Sequence, residues 1–439
     1  MSINYITFNQ DHTFLAVATT DGFRIYSTDP FSLVFQTPLA ENGAAGDISV
    51  LEMLFSTSLV AMILSPRLLR IINTKRQSTI CELTFPSRVG ALRLNRKRLV
   101  VVLEDIIFIY DIQTMKTLHQ IVTPTNPYSL CALSPNPENN YIAYPIRKQD
   151  QPTAGTPSHV PPSAQQKGPE VMSGDVMLFD ANELQEIKVI PAHQAPLSCM
   201  AINSDGTLLA TASEKGTVIR VFELPSAKKL YQFRRGSMPA RIYCMSFNAT
   251  STLLCVSSAT ETIHIFKLSP QTATGTNGGS DNYPQSPSSE RGFDTRGRGE
   301  SPGAMSDQNA STDLESSTGE TNSTNKPRNP GFMSLMRRTS QNVSSTFVSR
   351  AAGYLPSAVT EIWEPSRDFA WVKVPRSRSG QMVKSVVAMA GGMPQVMVAT
   401  SEGEYLVYNV DLEKGGEGTL VRQYSVKEKN DNQAGMYGE

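Results

Sequence analysis

The chain has 439 residues with 40 basic and 40 acidic side chains, so the net charge gives no reason to expect nucleic acid or another polyanionic partner. Any anion site must therefore be local. Five cysteines, an odd number with no CxxC pair, argue against a disulfide frame or a zinc site and read as small buried hydrophobes of a reducing compartment.

At the N-terminus, MSINYITFNQDHTF lacks a basic region leading into an apolar core, so no signal peptide is expected. The most apolar run, residues 51–64, contains Glu, Ser and Thr and is too short to cross a bilayer. From residue 8, FNQDHTFLAVATTDGFRIY gives a polar turn, an alternating apolar run ending in small residues, a second turn, and a strand closing on an aromatic. The same pattern returns as INSDGTLLATASEKGTVIRVF from Ile202, FNATSTLLCVSSATETIHIF from Phe247 and, more loosely, PQVMVATSEGEYLVYNV from Pro394. SPRLLRIINTKRQSTICELTF and KRLVVVLEDIIFIYDIQTMKTLHQI supply strand pairs of two further units.

Asn203 and Asn248 are 45 residues apart, as are Ser213 and Ser258, the spacing of four-stranded propeller blades. Units near 1–44, 45–86, 87–122, 123–191, 192–236, 237–378 and 379–427 predict an all-β, seven-bladed β-propeller over residues 1–427, with a disordered tail at 428–439.

Two insertions interrupt the rhythm. Residues 148–173, rich in Pro, Gln, Ser and Gly, are expected to form a flexible loop in blade 4. The second covers 269–367 in blade 6, and its first sixty residues have too little apolar content to pack. Residues 332–355 change character: Phe332, Leu335, Met336, Phe347, Tyr354 and Leu355 recur at helical spacing. Two readings stand side by side here, an amphipathic membrane-surface helix and a helix that docks on the propeller or on a partner.

The sharpest local signal is LYQFRRGSMPARIY, in which Arg234 and Arg235 are adjacent at the end of a strand. Neighbouring side chains of a strand point to opposite faces, so the pair serves two sites or none. Upstream, TASEKGTVIR supplies Thr211, Ser213, Lys215, Gly216, Thr217 and Arg220; downstream, SSATETIH supplies Ser257, Ser258, Thr260, Thr262 and His264. Hydroxyls, an exposed backbone N–H near Gly216 and an arginine fork suit a phosphorylated, sugar-like ring. The alternative is that the hydroxyls are ordinary turn formers and the arginines cover apolar rim surface.

FRRG between two blades, SEKGTVIRVF before it and ETIHIFKL after it resemble the PROPPIN family, β-propellers that bind phosphoinositides. The resemblance extends over most of the chain, leaving out only the two insertions, of which the longer sits where the family carries its membrane-inserting loop. It implies two rim sites for phosphatidylinositol 3-phosphate or phosphatidylinositol 3,5-bisphosphate. By matched position the first would use Thr211, Ser213, Gly216, Thr217, Arg220 and Arg234, and the second Arg235, Gly236, Ser258, Thr262 and His264. His193 matches a position near the first site, as a histidine opening a blade. Pro239 is expected to stiffen the turn after FRRG, and Arg241 receives no lipid role.

The resemblance also implies a partner, the rod-like lipid-transfer protein of autophagy, met through Pro66 and Arg67. The protein is then expected in the cytoplasm, peripherally on preautophagosomal, vacuolar and endosomal membranes. A WD-repeat-type scaffold that binds only proteins is the competing class, although AH at residues 192–193 and YD at residues 110–111 are poor versions of its motifs. Catalysis is not expected: five scattered histidines give no HExxH or GxSxG spacing and no phosphate loop. Neither a metal nor a cofactor is implied.

Overall fold

Residues 99–103 read LVVVL, and their side chains divide by parity: Leu99, Val101 and Leu103 enter one apolar cluster, Val100 and Val102 another. An unbroken apolar run of this kind marks a strand covered on both faces. The computed structural model describes residues 2–37, 47–147, 172–268, 365–376, 383–391 and 393–427. They form seven sheets, each built on four antiparallel strands in chain order, so the all-β, seven-bladed β-propeller expected from the sequence is the observed fold.

The first strand of each sheet packs against the first strand of the next, all the way round, which makes these strands the wall of a central channel. Fourth strands such as Phe31–Gln36 and Ser78–Thr84 are largely exposed and form the outer rim. Seven apolar clusters fill the seven blade interfaces, one each. Burying both faces of the middle strands of every blade is the main stabilisation of such a ring.

The recurring asparagine of the repeats has a structural cause. Asn203 Oδ1 accepts the N–H groups of Thr207 and Leu208, both at 2.8 Å, and Asn248 Oδ1 accepts those of Thr252 and Leu253 at 2.8 and 2.9 Å. Each turn between first and second strands is thereby closed by a side chain in place of a strand partner.

Among the described residues no strand is exchanged to close the ring. Blade 1 meets blade 7 through an apolar cluster that includes Leu15, Val17, Met397 and Tyr405. Around it, Arg24 Nη1 and Tyr26 OH donate to Val426 O at 3.0 and 3.2 Å, and Arg422 pairs with Asp29 at 3.0 Å.

Blades 4 and 6 carry the interruptions. Residues 148–171 fall between the strands Tyr141–Arg147 and Met172–Asp180, so Met172 and Ser173, expected in the insertion, belong to the sheet. In blade 6 the interruption lies between Thr262–Lys267 and Ala370–Lys373, and Ser366 already bridges to Phe233 of blade 5. Blade 6 also gains a fifth strand, Gly416–Glu417, parallel to Ala370–Lys373, which the repeat pattern did not reveal. The segment 332–355, with Phe332, Leu335, Met336, Phe347, Tyr354 and Leu355, and the tail 428–439 lie outside the described residues.

Candidate anion-binding grooves beside the arginine pair

The outermost strand of blade 5, Lys229–Arg234, pairs with Val218–Glu223 so that Arg234 lies opposite Val218 and Gln232 opposite Arg220. Arg220 in turn lies opposite Thr211. Leu209 and Phe222 enter the cluster between blades 4 and 5, while Ala210, Ile219 and Phe233 enter the cluster between blades 5 and 6. Strand parity therefore sends Thr211, Ser213, Arg220, Gln232 and Arg234 toward blade 4, and Arg235 toward blade 6. In blade 6, Leu254, Val256 and Phe266 face blade 5, and the same parity turns Ser258, Thr262 and His264 that way. The two arginines thus diverge into adjacent grooves.

The first groove is ordered by a chain of hydrogen bonds. Arg220 Nη1 donates to His193 Nδ1 at 2.9 Å and to Ala192 O at 2.8 Å, and Arg220 Nε donates to Gln232 Oε1 at 3.0 Å. With Nδ1 accepting, His193 Nε2–H donates to Thr211 Oγ1 at 3.0 Å. Burial, followed by the charge of Arg220, pushes the His193 imidazole down to about 4, so it is neutral at physiological pH. His193 ends the outermost strand of blade 4, Gln185–His193, and does not open blade 5 as its motif suggested. A cleft of about 620 Å³ beside it is lined by Ser173, Asp175, His193, Arg220 and Lys229 among others.

Gly216 is required by the backbone of this turn. Its N–H is occupied, donating to Ser213 O at 2.8 Å. The residue has φ +58, and a Cβ there would come within 1.9 Å of Ala240 O, so glycine is needed for backbone shape and close approach. Thr217 contributes its carbonyl to the N–H of Arg235 at 2.9 Å.

Arg234 is exposed, whereas Arg235 is only 7% exposed. The Arg235 guanidinium donates from Nε to Gly216 O at 2.8 Å and from Nη2 to Met238 O, and burial pulls its pKa down. A Cβ at Gly236 would project into open space. On the blade 6 side, Ser258 and Thr260 hydroxyls are 3.0 Å apart, and His264 Nδ1 lies 2.8 Å from Asp368 Oδ2. Pro66 and Arg67 are exposed in blade 2, where Pro66 O accepts Val89 N–H at 2.7 Å and Arg67 Nε donates to Phe85 O at 2.9 Å.

The PROPPIN family model matches residues 2–151 and 163–293, which include FRRG and both flanking turns. The chain belongs to the PROPPIN family. It is 54% identical over 439 residues to the autophagy-related protein 18 of Neosartorya fischeri, covering 98% of each chain, and 54% identical over 434 residues to that of Aspergillus terreus, covering 97% of this chain and all of that one. Among solved structures, Atg21 in complex with the coiled coil of Atg16 superposes with a TM-score of 0.64 at 26% identity, covering 97% of this chain and 99% of the other. Kluyveromyces lactis Hsv2 superposes at 0.62 with 16% identity, over 97% and 99% of the two chains, which speaks for the fold alone.

Three groups beside the grooves of this PROPPIN escaped the sequence reading. Gln232 was legible in principle, being two residues before Arg234 on the same strand face. Lys229 lines the cleft beside Arg220 but was masked by the sharper arginine pair. Asp368 gave no signal, because 104 residues separate it from His264.

Proposed function

We propose that this PROPPIN is a non-enzymatic effector that reads phosphatidylinositol 3-phosphate and phosphatidylinositol 3,5-bisphosphate through the two grooves. The family itself supports a phosphoinositide-binding propeller with a role in autophagy. In the finer reading, Thr211, Ser213, Gly216, Thr217, Arg220 and Arg234 form the site for one headgroup, and Arg235, Gly236, Ser258, Thr262 and His264 that for a second. Residues 332–355 contact the membrane, and Pro66 and Arg67 meet a lipid-transfer partner, at preautophagosomal, vacuolar and endosomal membranes.

The observation that carries this reading is the divergence of Arg234 and Arg235 into two grooves that each combine hydroxyls with a third-strand nitrogen donor, Arg220 in one and His264 in the other. A hydrogen bond to a charged group is worth roughly 1.5–3 kcal/mol, so one shallow groove binds weakly. Two grooves on one rigid body act together through effective concentration. The empty space at the Cβ position of Gly236 leaves room for a phosphate beside Arg235.

Liposome co-sedimentation tests it, with vesicles carrying either phosphoinositide or neither. Arg234→Thr should reduce phosphoinositide-dependent binding at least tenfold with an unchanged thermal midpoint, because its side chain is exposed. The double Arg234→Thr, Arg235→Thr variant should abolish binding, and circular dichroism must accompany it, since Arg235 also ties two backbone carbonyls. A folded variant that sediments like the wild type, or a wild type indifferent to phosphoinositide, rejects the reading in favour of a protein-binding scaffold.

A further inference from the structure

One mouth of the central channel, at the end where the innermost strands begin, opens into a cavity of about 440 Å³. Its charged lining residues are Arg93, Arg241 and Lys384, and no carboxylate lines it among the described residues. Arg241 and Lys384 immediately precede the innermost strands of blades 6 and 7, Ile242–Phe247 and Ser385–Met389. Arg93 lies on the innermost strand of blade 3, Ala91–Leu94, across the ring from them. Three cations therefore converge on one space from opposite sides.

Each is held in a defined way. The Arg241 guanidinium lies over the Tyr128 ring, 4.2 Å from its centroid. Arg93 donates from Nε to Cys131 O at 3.2 Å and from Nη1 to Leu92 O at 2.7 Å, yet keeps 33% of its side-chain surface because it faces the channel. Lys384 is exposed at the rim of the opening, and neither it nor Arg241 is paired with a carboxylate among the described residues. Among the described residues, two carboxylates sit close to the lining without being part of it. Glu52 stands behind Arg93 at 3.4 Å, and Asp47 is bound by the side chain of Asn4. Burial pushes the Glu52 carboxyl up, against the pull of Arg93.

We propose that this mouth of the channel is a binding site for a small, diffusible polyanion bearing two or more phosphate or carboxylate groups, separate from the grooves on the rim. The cavity has the size of a small-molecule site and is too narrow for a folded partner or a bilayer surface. Charge-assisted hydrogen bonds are about twice as strong as neutral ones, and a ligand with several anionic groups engages cations of blades 3, 6 and 7 at once. Tyr5, Tyr243 and Ser401 add hydroxyls to the wall. Phosphate chemistry is shared with the rim grooves, so the test must separate a soluble polyanion from a lipid headgroup.

Isothermal titration of the full chain with inorganic tripolyphosphate and, separately, with citrate supplies that test. The wild type should bind at least one of them, and Arg241→Gln with Lys384→Gln should weaken it at least tenfold while leaving sedimentation with phosphoinositide vesicles unchanged. Arg234→Thr should leave tripolyphosphate binding within twofold. Absence of binding by the wild type, unchanged affinity in the channel variant, or loss of tripolyphosphate binding with Arg234→Thr would each overturn the proposal, the last by placing the anion on the rim. Should the double variant unfold, Lys384→Gln alone decides, because its side chain is exposed and bonded to nothing among the described residues.

Discussion

Adjacent and chemically identical, Arg234 and Arg235 differ in everything their positions determine. One extends into solvent; the other is buried and ties the Gly216 turn to the Met238 turn. His193 shows the same dependence on surroundings, since its neutrality is imposed by burial and by Arg220. A histidine held at about 4 in the folded protein and near 6.5 in the unfolded chain leaves the unfolded state binding more protons between those values. Its contribution is fully present above pH 6.5 and disappears as pH falls toward 4. Urea denaturation should show stability falling by on the order of 2 kcal/mol between pH 7 and 5 from this group. His193→Asn should flatten that part of the profile, and an equally steep profile in the variant would place the effect elsewhere.

The re-entry segment of blade 6 joins the two grooves. Arg234 N–H donates to Ser366 O at 2.9 Å, and two residues later Asp368 meets His264 at 2.8 Å. The carboxylate occupies the nitrogen nearest it, and in the proposed reading it would repel an incoming phosphate. Asp368→Asn keeps the shape and removes the charge, which should tighten headgroup binding in the second groove by about fivefold, or roughly 1 kcal/mol. Weaker binding in a vesicle titration would instead make Asp368 a positioning residue for the imidazole. Legibility divides here along chain distance. Thr211, Ser213, Arg220 and Arg234 were readable as one set because a hairpin register links neighbours within some 25 residues. Asp368 and the Gly416–Glu417 strand reach their partners across an interruption or another blade, where no local periodicity carries the information. The close approach that requires glycine at 216 was not legible for a related reason, since the obstacle to a side chain there is Ala240 O, in the next crossover.

For the whole ring, the repeat period fixed the number of blades, but closure was invisible because it uses side chains and no shared strand. Phe31 is central to it, stacked within 5.1 Å of Tyr26, 4.5 Å of Tyr405 and 4.7 Å of Tyr424. Phe31→Ala should cost about 2–4 kcal/mol in urea denaturation. Hydrogen exchange should accelerate first in blades 1 and 7; uniform acceleration around the ring would show that this seam is no weaker than the other six.

The alternation that separates the arginines has a consequence for sequence change. One residue inserted between Phe233 and Arg234 would swap the faces on which the two guanidinium groups emerge, without altering the chemical content of the motif. A two-residue insertion would restore their sides but displace both beyond the strand end. FRRG is thus a matter of counting as much as of composition, and in the proposed reading a change of length would misdirect the pair with both charges still present.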